Sequence, residues 1–579
     1  MVSRIRSAPA LCVFAFLFLT AGASVSLNAQ QDAVSGPTAS HAAPVALLPV
    51  TECEKLAAAE IGTAINEPTH ITSAKTIADG KPAPYCEVKG YVEPAVQFEV
   101  HLPLKTWTQR YVQTGCGGLC GFLSLRIEKD EGCLPATNGE VAVASTDMGH
   151  EGSTDGSFGA QDYQLRIDFA YRGVHVTALA AKALIEKFYG RQPKYSYFAG
   201  CSDGGREALM EAERFPKDFN GITAGAPAMN FVTQNTFYHG WNALVNTGGD
   251  GKPILTADKL PTLHKAAIEQ CDAVDGLKDG LISDPFACHV DPSKVECRVG
   301  QDLASCLTPA QVKVARELYT GAHDAAGNKL VLSGPLPGSE LAWEGVFIQS
   351  ATQKTLMSPT ISTGALKNLV YVKNPQTGYT LENLKFDRDA FEATTKLHGL
   401  YDATDPDLGA FASGGGKLIL WHGLADPHIS PLNTIAYYKA MQLTMGTTAV
   451  DKFARLYLFP GGYHCSEGEG PFDVNLLGAM MAWVEKGKSP DGLIASHSAG
   501  GKKGKIDRTR SVYPYPYTTR YVGTGSIDDA KNFVRGEAKP VPDGLLNWMG
   551  ASFYAPHYEL WCTANGLEMT CKPDTPKQP

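Results

Sequence analysis

The chain has 579 residues, and at ~150 residues per domain its length allows three to four domains. With 44% hydrophobic and 19% charged residues it has the make-up of a folded globular protein, which excludes extended disorder. Its 51 basic residues against 60 acidic ones, for a net charge of −9, lack the basic footprint of a nucleic-acid binder.

The N-terminus reads as a secretory signal over residues 1–29. Arg4 and Arg6 precede an apolar run from Leu11 to Thr20, followed by the small residues Ala21-Gly22-Ala23 and by Leu27-Asn28-Ala29. The run is shorter than the ~20 residues that span a bilayer. The mature chain is therefore expected to be secreted or periplasmic, with no membrane contact after signal removal. Residues 30–50 read as a flexible lead-in. In an oxidising compartment most cysteines should pair. Cys271 with Cys288, Cys297 with Cys306 and Cys562 with Cys571 would close short loops, and Cys53 could close on Cys86. Without Cys12 the count is odd, so at least one thiol should stay unpaired within the chain. The sequence assigns no partners to Cys116, Cys120 and Cys133.

From about Tyr85 to Gly225 strand-like and helix-like stretches alternate. Arg110–Thr114 runs into Gly115-Cys-Gly-Gly118, and Val141–Ser145 precedes a helical pattern over Val174–Tyr189. Tyr195–Ala199 is a strand ending at glycine, and a helix resumes near Arg206. The rhythm stops near Phe231 and returns with the apolar strands Lys417–Gly423 and Leu456–Phe459. This predicts an α/β fold with a mostly parallel sheet. Its two core parts, 51–230 and 401–579, are interrupted by an inserted lid at 231–400.

Gly200-Cys201-Ser202-Asp203-Gly204 matches G-x-S-x-G between a strand and a helix, the setting of a nucleophile elbow. A serine hydroxyl needs a base and a group that orients the base. On such folds the order is serine, acid, histidine. Asp426 follows the strand 417–423 and His464 follows the strand 456–459. His422 and His428 compete for the role of base, but His464 wins on order and context. The oxyanion requires two backbone N–H donors, assigned to Asp203, after the nucleophile, and to Gly117 in the glycine loop.

These residues resemble the tannase and feruloyl esterase family. Cys201-Ser202-Asp203 and His464-Cys465 are similar to its CS-D-HC signature, in which each of two catalytic residues adjoins a cysteine. The resemblance spans about Cys53 to Cys571. It implies an α/β-hydrolase core with a large lid, and ester hydrolysis through an acyl-enzyme with Ser202, Asp426 and His464 as nucleophile, acid and base. Cys201 and Cys465 are expected to pair, since a triad brings their neighbours together. The run Cys271-Asp272-Ala-Val-Asp275-Gly-Leu277-Lys-Asp279-Gly-Leu281 offers the hard oxygens that Ca²⁺ prefers. It resembles the family's lid calcium site, which implies the side chains of Asp272, Asp275 and Asp279 with the carbonyls of Leu277 and Leu281, in a structural role.

The expected substrate is a small aromatic carboxylic ester: a gallate, a hydroxycinnamate or another phenolic ester. The alternatives are a terephthalate monoester hydrolase and a catalytically inactive binding module on the same fold. The lid is expected to set substrate choice through aromatic contacts, with Trp343, Phe347, Tyr371 and Tyr379 as candidates among which the sequence singles out none.

Overall fold

The computed structural model describes residues 45–353, 355–501 and 504–573, which form one compact unit. The secretory signal read over residues 1–29 and most of the lead-in at 30–50 lie outside the described residues.

Nine strands build the main sheet. They are β1 (Thr69–Ile77), β2 (Tyr85–Val92), β3 (Val96–Pro103), β4 (Arg110–Thr114), β5 (Val141–Thr146), β6 (Tyr195–Cys201), β7 (Gly221–Gly225), β8 (Lys417–Gly423) and β9 (Ala454–Phe459). Their order is β1-β2-β3-β5-β4-β6-β7-β8-β9. Strands β1, β2, β3 and β5 pair antiparallel, and β5 through β9 pair parallel. The antiparallel edge is absent from the sequence expectation, which began at Tyr85.

The central strands are buried on both faces, as a parallel sheet under helices requires. Side-chain alternation along each strand divides the interior into two cores. Tyr111, Phe198, Ile222, Leu418, Leu420 and Leu456 face the helices Gly173–Tyr189 and Pro431–Met445. Val112, Tyr197, Ile419, Trp421 and Tyr457 pack against Leu476, Leu477, Met480 and Trp483 of the helix Leu476–Lys486 on the other face. Past that helix the chain adds no further strand to this sheet among the described residues; it forms three two-stranded hairpins.

Strands β7 and β8 are sheet neighbours, yet 191 residues (226–416) separate them. This insertion is not uniform. Leu255, Leu260, Leu263, Val312, Leu318, Trp343 and Phe347 form a core of their own, and Ala267, Cys271, Ile282 and Cys288 a smaller one. By contrast, Phe231, Phe237, Ile361, Leu366, Phe391 and Leu400 join the main core. Trp343 and Phe347 are buried inside the insertion, and the Trp343 indole donates to Ser339 Oγ at 2.9 Å. They support the insertion's own core, which removes these two from the candidates for substrate contact.

Six disulfides are closed: Cys53–Cys86, Cys116–Cys120, Cys201–Cys465, Cys271–Cys288, Cys297–Cys306 and Cys562–Cys571. Among the described residues the unpaired thiol is Cys133, which is buried.

Candidate active site

Strand β6 ends at Cys201 and the next helix, Asp203–Arg214, begins two residues later, earlier than the start near Arg206 that the sequence suggests. Ser202 alone makes the turn, at φ 66° and ψ −123°. A non-glycine residue pays roughly 1–3 kcal/mol for such a conformation, and it persists only where the surroundings enforce it. Here they do so by hydrogen bonds and close packing. Ser202 N–H donates to Gly225 O at 3.0 Å, and Ser202 O accepts from Gly205, Arg206 and Ala228. A Cβ on Gly200 would lie 2.2 Å from Gly204 O, and one on Gly204 would lie 2.9 Å from Cys116 O. Those two glycines let the strand end, the helix start and the loop after β4 touch.

Asp426 and His464, the candidate acid and base, stand on the loops after β8 and β9, which are joined by the bond from Ala425 N–H to Gly462 O at 3.0 Å. Asp426 is buried. Its Oδ1 accepts the N–H groups of His428 (2.7 Å) and Ile429 (3.1 Å). Its Oδ2 lies 2.7 Å from His464 Nδ1 and 3.1 Å from His422 Nε2. Burial alone would raise this carboxyl, but His464 and His422 outweigh it and hold it well below the usual carboxylate range. The carboxylate can therefore keep a proton on His464 Nδ1 and leave Nε2 as the basic nitrogen.

His422 is a buried partner of the acid. Its Nε2 also faces Ile429 O at 3.1 Å, while its Nδ1 lies 2.8 Å from Thr434 Oγ1. Two acceptors at Nε2 place the proton there, so Nδ1 accepts from the threonine hydroxyl. Sequence order removes His422 as base but gives no hint of this role. A serine or threonine one helical turn into the next helix is the only available signal. His428 packs against His464 with ring centroids 4.6 Å apart. Burial, with His464 adding, pushes its imidazole down to about 3. His239, from the insertion, is likewise pushed down to about 3 by burial and then by His464. Neutral imidazoles thus surround the candidate base.

Asp203 opens its helix, so its N–H belongs to the first turn and has no intrahelical acceptor. Its carboxylate accepts two bonds from Arg206, at 2.7 and 2.9 Å. Gly117 lies in the facing loop, where a Cβ would meet nothing within 4 Å. That loop is held by the Cys116–Cys120 disulfide, by the Cys116 N–H, which donates to Glu207 Oε1 at 3.2 Å, and by the Gly204 N–H, which donates to Cys116 O at 2.7 Å. Glu207 is fully buried. Burial, with Asp203 adding, pushes its carboxyl up to about 8.

Away from this centre, Asp272, Asp275, Leu277, Asp279 and Leu281 lie on one loop of the insertion. Asp272 Oδ1 accepts from the N–H groups of Asp279 and Gly280, and Asp275 Oδ1 accepts from Leu277. Asp279 Oδ1 accepts from Leu281, and its Oδ2 accepts from Arg510 at 2.6 Å. The donor chemistry fits a hard cation. Burial raises the Asp275 carboxyl, and Asp279 and Asp272 add to the rise, a repulsion that a divalent ion would relieve. Arg510 already supplies one positive charge there.

The sequence model for "Tannase and feruloyl esterase" matches residues 80–536. A mono(2-hydroxyethyl) terephthalate hydrolase of Piscinibacter sakaiensis is 32% identical over 513 residues, covering 78% of this chain and 84% of that one. A probable feruloyl esterase B-1 of Aspergillus flavus is 30% identical over 491 residues, covering 81% and 89%. The crystal structure of feruloyl esterase B from Aspergillus oryzae superposes with a TM-score of 0.72 at 27% identity, covering 83% of this chain and 99% of the other. The fold is thus that of the α/β-hydrolases. With the elbow, the acid–base loops and these likenesses together, the chain belongs to the tannase and feruloyl esterase family and is a carboxylic ester hydrolase.

Proposed function

We propose that the protein is an exported serine esterase acting on aromatic carboxylic esters, with Ser202 as nucleophile, His464 as base and Asp426 as the orienting acid. The observation that carries this is the His464–Asp426 bond of 2.7 Å on a loop tied through Cys465 to the residue before Ser202. His464 Nε2 takes the proton from Ser202 Oγ as the oxygen attacks the ester carbonyl carbon. The N–H groups of Asp203 and Gly117 receive the oxyanion. Collapse expels the alcohol with the proton from His464 and leaves an acyl-serine. A water, deprotonated by the same imidazole, then releases the acid and restores Ser202.

The aromatic acid class rests on relatives named as feruloyl esterases and as a terephthalate monoester hydrolase. Export rests on the N-terminal sequence and is supported by the disulfides; among the described residues no helix is long and apolar enough to cross a membrane. We also propose that Asp272, Asp275 and Asp279, with the carbonyls of Leu277 and Leu281, hold one structural Ca²⁺. A panel of methyl gallate, methyl ferulate and a terephthalate monoester tests the reading, together with fluorophosphonate labelling. Turnover of at least one ester and labelling confined to Ser202 are expected. An unlabelled Ser202 in active enzyme overturns the assignment.

A further inference from the structure

The loop that carries His464 is a short hairpin. Gly462 and Gly468 bridge at its stem, Tyr463 N–H donates to Glu467 O, and Cys465 at its tip is bonded to Cys201. Its other anchor lies in the insertion. Glu469, whose N–H donates to Gly461 O at 2.9 Å, places Oε2 3.2 Å from Nε2 of His264. His264 belongs to the helix Leu260–Cys271, and its Nδ1 lies 2.7 Å from Glu340 Oε2. Glu340 is buried, and its Oε1 accepts from Tyr319 Oη at 2.6 Å and from Gly338 N–H at 2.9 Å.

We propose that His264 is a positioning residue: as an imidazolium bridging Glu340 and Glu469, it docks the insertion onto the His464 loop and holds the base in register. The inference rests on the triad reading above. Both ring nitrogens face carboxylates, and only the doubly protonated ring donates to both. Burial opposes that charge, but Glu340 and Glu469 outweigh it and hold the imidazole up to about 9. The other titratable groups facing the bridge are the phenols of Tyr319 and Tyr463. Burial raises both, with Glu340 adding at the first and Glu469 at the second. Lys265, next along the helix, is exposed and lies by Glu269.

The bridge has a built-in direction of failure. When pH rises through about 9, the neutral ring can donate to one carboxylate only. Glu340 keeps its tyrosine and backbone donors. Glu469, with a side chain 35% exposed, is the partner that water can satisfy, so the His464 loop is the side released. Small displacements of a base cost rate steeply.

The test is the pH dependence of kcat and KM on one hydrolysed ester from pH 6 to 10.5, for wild type, His264→Gln, His264→Lys and Glu469→Gln. Wild-type kcat should fall above about pH 9, with KM changed less. Glu469→Gln, whose amide can pair with the ring in either protonation state, should remove the alkaline fall at a smaller cost in kcat. His264→Gln, which cannot bridge both carboxylates, should lower kcat about tenfold at pH 8, the equivalent of ~1.4 kcal/mol, and also remove the fall. His264→Lys keeps a cation of higher intrinsic pKa and should retain more kcat than the glutamine variant, with its alkaline fall displaced upward. Wild-type kcat and an unaltered alkaline limb in both Glu469→Gln and His264→Gln overturn the bridge. The triad reading fails separately, on Ser202→Ala turning over the same ester at the wild-type rate.

Discussion

The loops that carry Ser202, Asp426 and His464 are tied to one another across long stretches of chain, whereas the part of the insertion from about 245 to 348 is held by its own neighbours. Cys201 and Cys465 are 264 residues apart, and the acid and base loops share a backbone bond. In the insertion the disulfides close separations of 17 and 9 residues, and two small apolar clusters stand apart from the main core. Long-range ties restrict the unfolded chain most, so the candidate site sits in the part that costs most to open. A locally stapled segment can open by itself at lower free energy. The insertion is therefore the part that can loosen first, and the His264–Glu469 contact is where that loosening would reach the His464 loop.

The sharpest way to break the first region is to remove its chemistry. Ser202→Ala and His464→Ala should each lower kcat by roughly 10⁴-fold or more with an unchanged circular dichroism spectrum. Asp426→Asn should lose on the order of 10⁴-fold, because an amide cannot accept from both His464 and His422. Turnover by Ser202→Ala near the wild-type rate on every hydrolysed ester would remove the nucleophile assignment.

Removing the long tie is the next largest change. For a loop of this length the chain-entropy estimate is roughly 5 kcal/mol, and measured values often fall short. Cys201→Ala with Cys465→Ala should therefore lower the melting temperature and, because the elbow and base loops are no longer clamped, cut kcat by about 100-fold in protein that is still folded. Full activity in the folded double variant would show that the hydrogen bonds around Ser202 and Asp426 suffice.

The second region should respond in stability with little loss of rate. Chelating the proposed Ca²⁺ should lower the melting temperature, since ligand bound only to the folded form stabilises by ~2.7 kcal/mol at a hundredfold excess over Kd. At 25 °C kcat should change less than twofold. Elemental analysis of protein purified without chelator checks the premise. Absence of calcium, with no gain in melting temperature on adding it, would refute the site.

The contrast also explains what was legible in the sequence. The strands of the parallel sheet and the elbow are local patterns: apolar runs ending at glycine announce β4, β6 and β8 within a residue or two. The cysteines flanking Ser202 and His464 point to a pairing that no local rule would reach. What escaped depends on packing between distant segments. Trp343 and Phe347 look like ring-binding residues until the helices Leu260–Cys271 and Pro309–Thr320 close over them. His422 looks like a failed base until Thr434 and Asp426 occupy its two nitrogens. Neither spacing nor resemblance assigns the Cys116–Cys120 pair, and its neighbour Glu207 carries no sequence mark of being buried.

Glu207 supplies the smallest and most specific test. It lies in the well-tied region, under the glycine loop, where its Oε1 accepts the Cys116 N–H and its Oε2 is buried without a partner. Its folded carboxyl titrates at about 8 against an ordinary value of 4.5. Between those values the native state holds a proton that the unfolded state has lost, so stability falls as pH rises from about 4.5 to 8. Glu207→Gln keeps an acceptor for Cys116 and removes the titration. The variant should match wild type at pH 5 and melt roughly 1–3 °C higher at pH 8. With Oε1 replaced by an amide oxygen the glycine loop keeps its place, so kcat should stay within about threefold. A variant whose melting temperature tracks wild type across pH 5–8 would mean that Glu207 is ionised in the folded protein, and its partner would then have to be sought around the Cys116–Cys120 loop.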